Sequence, residues 1–221
     1  MTKPPTDYGP RQLGDRLDLP EWQLLRALRL ELIPAVDAGG RWPAAVVNDA
    51  VERLDAIRAA VGTLPDIGAT RAEEHLAARF RLDVAPGTAA ELSRRGHLPL
   101  RGHYKGYPLY CGLALEGPGL DRRKVQRASA AGHLHMRDRA AEILEVRAAD
   151  FDHLVRAGLL APTETVRSSY HRRTLVPLYR RGDLDSLLRS SRIDWDAVRA
   201  TPPGRPSPLA QLPTRAANTS A

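Results

Sequence analysis

Three segments of this chain repeat one pattern, and the spacing between them limits what the chain can build. Leu82-Asp83-Val84 is followed eight residues after the valine by Leu92, and then by Gly96, Leu98 and Pro99. Leu144-Glu145-Val146 is followed at the same offsets by Leu154, Gly158 and Leu160, with Pro162 close behind. A third copy opens at Leu17-Asp18-Leu19, continues through Trp22, Leu24 and Ala27, and reaches Ile33-Pro34 at the offsets of Leu98-Pro99. It departs at Glu31, which stands where the other copies have glycine. Leu82 lies 65 residues after Leu17, and Leu144 lies 62 after Leu82. That is the size of a small helical domain rather than of a solenoid unit, so the pattern predicts three little domains in series.

Physical chemistry accounts for the shared pattern. In each copy the Leu-acid-aliphatic triplet ends a first helix on a buried side chain, and after a short turn a second helix presents Leu92, or Phe151 and Leu154, inward. Gly96 and Gly158 suit the position just past that helix, where a left-handed residue is needed. Thr70-Arg71-Ala72-Glu73 reads as a capping box and predicts the start of the first helix of copy two. From Pro99 to Tyr110, two short Tyr- and Leu-bearing arms flank a Gly-bounded tip, which predicts a β-hairpin. Copy three has a longer equivalent from Ala161 to Tyr179, and copy one a shorter one from Asp37 to Trp42. In copy one, Val47, Ala50, Val51, Leu54, Ile57 and Val61 then form the apolar stripe of one third helix facing its own core.

Helix, turn, helix, hairpin and helix is the layout of a winged helix. The expected fold is therefore mainly α with short β-hairpin wings, as three diverged winged helix-turn-helix repeats in series. The expected boundaries are a disordered N-terminus at 1–10, repeats at 11–65, 66–135 and 136–200, and a Pro-rich flexible tail at 201–221.

Copies two and three resemble the winged helix-turn-helix proteins of the MerR and excisionase type. Those proteins place a short helix, an aliphatic residue before the turn, a recognition helix ending in Gly-x-Leu-x-Pro or similar, and an aromatic-bearing wing in that order. The matching residues run from Val84 through Pro99 with Tyr107 or Tyr110, and from Val146 through Pro162 with Tyr179. The resemblance implies binding to double-stranded DNA. The chain departs from the MerR pattern by repeating the domain instead of adding a dimerising helix and a sensor, so tandem domains are expected to take the place of dimerisation.

The formal charge of +7 and pI near 10 point to a polyanionic partner, and the location of the charge sharpens this. Residues 1–65 carry 8 basic and 9 acidic groups, 66–135 carry 11 and 7, and 136–200 carry 12 and 10. The excess concentrates in two acid-free stretches. Residues 99–110 hold Arg101, His103 and Lys105 interleaved with Tyr104, Tyr107 and Tyr110. Residues 165–181 hold Arg167, Ser168, Ser169, Tyr170, His171, Arg172, Arg173, Arg180 and Arg181. Arginines, hydroxyls and tyrosines are the usual donors to phosphate oxygens, and an Arg at a wing tip can enter the minor groove.

In the second helices the early positions are the ones that face base edges in a helix-turn-helix. These nominate Thr88 and Glu91 with Arg94 and Arg95, and Arg147, Asp150 and His153 with Arg156. Glu91, Asp150 and Asp152 would repel phosphates, so these helices can equally accept from cytosine, cap themselves or face another domain. Copy one, with its acidic balance, is expected to serve as a surface for a second copy or another protein. Arg205, inside a Gly-Arg-Pro sequence, resembles the centre of an AT-hook, although a plain disordered tail explains the segment as well.

Other chemistries find no residues to carry them. Cys111 is the single cysteine, which excludes an internal disulfide and fits a reducing compartment. His133-Leu134-His135 is expected to hold its imidazoles apart, and no Cys or carboxylate at ligand spacing completes a metal site. No catalytic pair, Walker or dinucleotide pattern is found, so neither an enzyme nor a cofactor is expected. No apolar run suits a membrane span or a secretory signal, and the expectation is a cytoplasmic, nucleoid-associated protein. The leading expectation is a transcriptional regulator or a mobile-element or architectural accessory factor. A winged-helix protein-interaction module and an RNA-binding protein remain open alternatives.

Overall fold

The computed structural model describes residues 6–36, 39–168, 174–202 and 204–214. Among these, the chain is about half helical, with short strands in small antiparallel sheets. In chain order the first elements are β1 (Asp7–Tyr8), α1 (Pro10–Leu17), α2 (Glu21–Arg29), β2 (Trp42–Pro43), α3 (Ala44–Glu52) and α4 (Leu54–Val61). Next come α5 (Ala69–Phe80), α6 (Thr88–Arg94), β3 (Leu100–Tyr104), β4 (Tyr107–Tyr110) and α7 (Gly112–Glu116). The last are α8 (Arg122–Gly132), β5 (Leu134–Met136), α9 (Arg137–Leu144), α10 (Ala148–Arg156), β6 (Glu164–Arg167), β7 (Leu175–Arg180), α11 (Arg181–Leu188) and α12 (Trp195–Arg199). A 3-10 turn at Pro208–Gln211 closes the series.

Two compact units result: residues 1–68 with 98–120, and residues 69–97 with 121–221. The hairpin β3–β4, which the repeat spacing assigns to copy two, thus belongs to the unit that holds copy one. In the first unit, Leu13, Leu17, Leu24, Ala27, Val47 and Ile57 pack with Trp42 in one core. The segment expected to be a disordered N-terminus is partly ordered: β1 pairs with β2, Tyr8 opposite Trp42, and Pro10 opens α1. Proline suits that first helical position because its fixed φ is already helical. The apolar stripe of copy one is carried by two helices rather than one, broken at Arg53 (φ −97°, ψ 11°), while Val47, Ala50, Ile57 and Val61 remain buried.

The same local geometry recurs three times. The first helices α1, α5 and α9 each run into a left-handed residue, Asp18, Arg81 and Glu145. The next amide bonds five residues back, Leu19 to Gly14, Leu82 to Ala77 and Val146 to Ala141. An arginine from a later helix then donates to the carbonyl just before each left-handed residue: Arg58 to Leu17, Arg122 to Phe80 and Arg199 to Leu144. Cations are favoured there because the last carbonyls of a helix lack partners.

The second helices α2, α6 and α10 end alike. Leu32, His97 and Leu159 donate to Ala27, Leu92 and Leu154 around a left-handed Glu31, Gly96 or Gly158. Glu31 therefore adopts the conformation that glycine supplies in the other copies, at a cost of roughly 1–2 kcal/mol.

Copy two corrects the sequence register. Its left-handed residue is Arg81, so Phe80-Arg81-Leu82, not Leu82-Asp83-Val84, corresponds to the other triplets. The latter triplet lies in the turn, which runs longer here through Pro86-Gly87. The expected capping box also differs. Helix α5 starts at Ala69, and the Glu73 carboxylate instead accepts from the Gly87 and Ala89 amides at the start of α6, at 2.8 and 3.1 Å. Burial pushes the Glu73 carboxyl above the usual carboxylate range, against the pull of those amides. Gly87 meets α8 closely; a Cβ on it would lie 2.3 Å from the Gly132 carbonyl oxygen.

The Pro-rich tail is not a free extension over its described part. Ser207 caps the 3-10 turn, and Leu209 enters the second unit's core with Phe151, Leu154 and Tyr179. The proline at position 208 sits at the first position of that turn, where its missing amide costs nothing.

Candidate nucleic-acid interface

Of the second-helix residues nominated for base reading, Thr88, Glu91 and Asp150 are covered by the chain itself, while Arg94, Arg95 and Arg156 are exposed. Thr88 is fully buried and donates its hydroxyl to the Ala85 carbonyl, while the Ala85 amide donates to Ser129 of α8. In this conformation Thr88 cannot meet a base edge. Glu91, one turn on, is buried as well and accepts from Arg94 (2.7 and 3.0 Å) and Arg95 (2.6 Å). On α10, Arg147 clasps the buried Asp150 through two bonds of 2.8 and 3.1 Å and reaches the carbonyls of Pro202 and Arg205. Ser207 also bonds Asp150; burial alone would raise its carboxyl, but Arg147 and Ser207 hold it below its ordinary value. In the first unit, Gln23 and Arg26 of α2 bind the carbonyls of Gly62, Val61 and Leu64, and Arg26 pairs with Asp66 at 2.7 Å.

His153 is half-buried on α10 and Arg156 is exposed near its end. Arg205 is exposed, but its carbonyl serves Arg147, so the AT-hook-like sequence is tied to α10 by its backbone.

The hairpin β3–β4 presents the opposite picture. Every residue of β3 is exposed. Tyr104 faces Tyr107 across the strands, and Lys105 and Gly106 form the two-residue tip, both with positive φ. That is the primed turn that matches strand twist. Arg101 occupies the register shift between Leu100 and Gly102, where β3 bends, and lies beside Cys111 and Asp66, which push its guanidinium further above its ordinary value. His103 pairs with Pro108, and the Lys105 ammonium rests 5.3 Å from the Tyr104 ring centroid. The structure thus brings Arg101, His103, Tyr104 and Lys105 together on one prong. Leu100, Tyr104 and Tyr107 are 48%, 62% and 73% exposed on it. Strand β4 is half-buried at Pro108 and Leu109 and buried at Tyr110, so the hairpin is anchored at that end while the side chains of β3 and of the tip stay open to a partner.

In the second unit, β7 pairs with both β5 and β6. Arg167 is exposed at the end of β6, and the Ser168 amide bonds the Thr174 carbonyl at 2.9 Å. Ser169, Tyr170, His171, Arg172 and Arg173, expected at this wing tip, lie outside the described residues, as do Asp37 and Ala38 of the hairpin expected in copy one, whose described strand Trp42–Pro43 pairs with β1 instead.

The pair expected to hold its rings apart does the reverse. His133 and His135 stack at 4.4 Å between centroids, because residues two apart on an extended segment share a face. Burial pushes the His135 imidazole below its ordinary value, and the neighbouring charge of His133 adds to this. Among the described residues no group of three His, Cys, Asp or Glu side chains could hold a metal ion, and no helix is long and apolar enough to cross a membrane.

Comparison of the chain with protein-family models, with curated proteins and with solved structures finds no match in any of the three.

Proposed function

We propose that this protein binds duplex DNA through the hairpins of tandem winged helix-turn-helix repeats, as a transcriptional regulator or a mobile-element or architectural accessory factor. The observation that carries the reading is the hairpin β3–β4: fully exposed along β3, free of acids, and bearing Arg101, His103 and Lys105 among three tyrosines. Phosphate oxygens attract such a surface irrespective of sequence, and the tip is narrow enough to approach a groove.

The winged-helix reading is supported by the order helix, helix, hairpin, helix in copies two and three; in copy one the described strand Trp42–Pro43 pairs with β1 rather than within a hairpin. It is also supported by the antiparallel partners that bracket each copy, Tyr8 with Trp42, Ile67 with Tyr110 and His135 with Tyr179. The burial of Thr88, Glu91 and Asp150 and the engagement of Arg94, Arg95 and Arg147 by the two acids move the weight of contact from the helices to the wings. Sequence preference then comes mainly from DNA shape and groove width rather than from base edges. No catalytic role is assigned.

A fluorescence-anisotropy titration against random-sequence duplex DNA and single-stranded RNA of equal length, at two salt concentrations, tests this. Salt-sensitive binding with preference for the duplex is expected. Preference for the single strand would favour RNA, on which Tyr104 and Tyr107 could stack. Binding to neither at low salt would favour the protein-interaction module, for which the exposed Leu100, Tyr104 and Tyr107 speak.

A further inference from the structure

We infer that a cleft in the second unit, formed by α6, α8 and α11, is a binding site for a phosphate group. The cleft encloses about 530 Å3 and is lined by arginines from α6 and its end, from α8, from β7 and from just past α11. Its acids are already taken. Glu91 is fully buried and is shared by Arg94, Arg95 and Arg180. Asp183 is held by Arg180, and Asp185 by Arg181. Arg127 of α8 and Arg189, just past α11, also line the cleft, and neither forms an ion pair among the described residues. Six guanidiniums therefore stand at or beside three carboxylates.

One buried carboxylate between several guanidiniums fixes their positions without neutralising them. An arginine whose planar donors are fixed in advance loses little freedom when an oxyanion arrives, and phosphate is one of the groups that its fork matches. Glu91 serves as the anchor and Arg180 as the partly buried wall. Arg127 and Arg189 supply the open donors. The phosphate can belong to a nucleic-acid backbone or to a free phosphorylated ligand; the chemistry of recognition is the same, and the inference does not depend on the DNA reading.

The test uses the full chain and the variant R127A/R189A, both positions being exposed, with R127K/R189K as the charge-retaining control. Inorganic pyrophosphate is titrated by thermal shift and a duplex DNA by anisotropy. The expected result is that at least one probe binds the wild-type protein and is weakened about tenfold by the alanine pair, with most binding kept by the lysine pair. Loss confined to the duplex assigns the phosphate to the DNA backbone, and loss confined to pyrophosphate assigns it to a free ligand. If the wild-type protein ignores duplex DNA but binds pyrophosphate through these arginines, the DNA reading fails and the cleft stands. Equal behaviour of the wild-type protein and the alanine pair towards both probes, or no binding of either probe, overturns the inference.

Discussion

Glu91 and Arg180 lie 89 positions apart and form an ion pair that ties α6 to the end of β7. Glu91 has no exposed side-chain surface, and Arg94 and Arg95 bind the same carboxylate. Burial alone would raise this carboxyl; the bonds from Arg94 and Arg95 and the charge of Arg180 outweigh it and hold the group below its ordinary value of 4.5.

A depressed carboxylate adds stability that is present above the unfolded value and disappears as pH falls through the folded one. Glu91→Gln should therefore lower stability at neutral pH by about 3 kcal/mol, the scale for stranding buried charge, and flatten the acid limb of the unfolding curve. Urea denaturation from pH 7 downwards checks this. A variant as stable as the wild-type protein at pH 7 would show that the pair is incidental.

Glu31 holds a left-handed backbone where the other two copies use glycine. Glu31→Gly should stabilise the first unit by about 1 kcal/mol, and Gly96→Ala or Gly158→Ala should destabilise by a similar amount. Opposite signs in thermal unfolding are the signature; destabilisation by all three would contradict the shared helix ending.

The expectation for copy two shows what periodicity could and could not reveal. The second helices were legible because Leu92 with Gly96 and Leu154 with Gly158 keep one spacing, and a helix end needs both. The end of α5 was misplaced by two residues because Leu82-Asp83-Val84 imitates the triplet of the other copies, while the left-handed residue is Arg81. Arg58, Arg122 and Arg199 play one role at unequal spacing, so no repeat search could join them. The hairpin β3–β4 was legible from its Tyr and Gly pattern. The burial of Thr88 and Asp150 was not, because it depends on α8 and on the tail, which are distant in sequence.

The tail offers its own test. Leu209 is 4% exposed in the core beside Phe151 and Leu154. Leu209→Ala should cost about 2–3 kcal/mol, as a buried leucine does, and should raise exchange of the amides at the start of α10. Unchanged stability and protection would mean that the tail does not dock.

His135 provides a second pH test, of the same sign but nearer neutrality. Its imidazole lies below the ordinary value of 6.5 through burial first, then through His133, Arg181 and Arg139, with Asp185 pulling the other way. A base with a depressed folded value stabilises fully above the unfolded value, and that contribution declines as pH drops through the interval between the two. The melting temperature should therefore fall as pH drops below the ordinary imidazole value of 6.5, and His135→Asn should reduce that fall. Parallel curves for both proteins would exclude His135 as the source.

The hairpin is where the functional account can be tested most directly. Anisotropy of a random-sequence duplex is measured across a salt series for the wild-type protein and for Arg101→Ala/Lys105→Ala, which changes only exposed side chains. The account predicts salt-sensitive binding by the wild-type protein, weaker binding by the variant, and a log-log salt slope shallower by about 2. Equal affinity and slope for both proteins would contradict it.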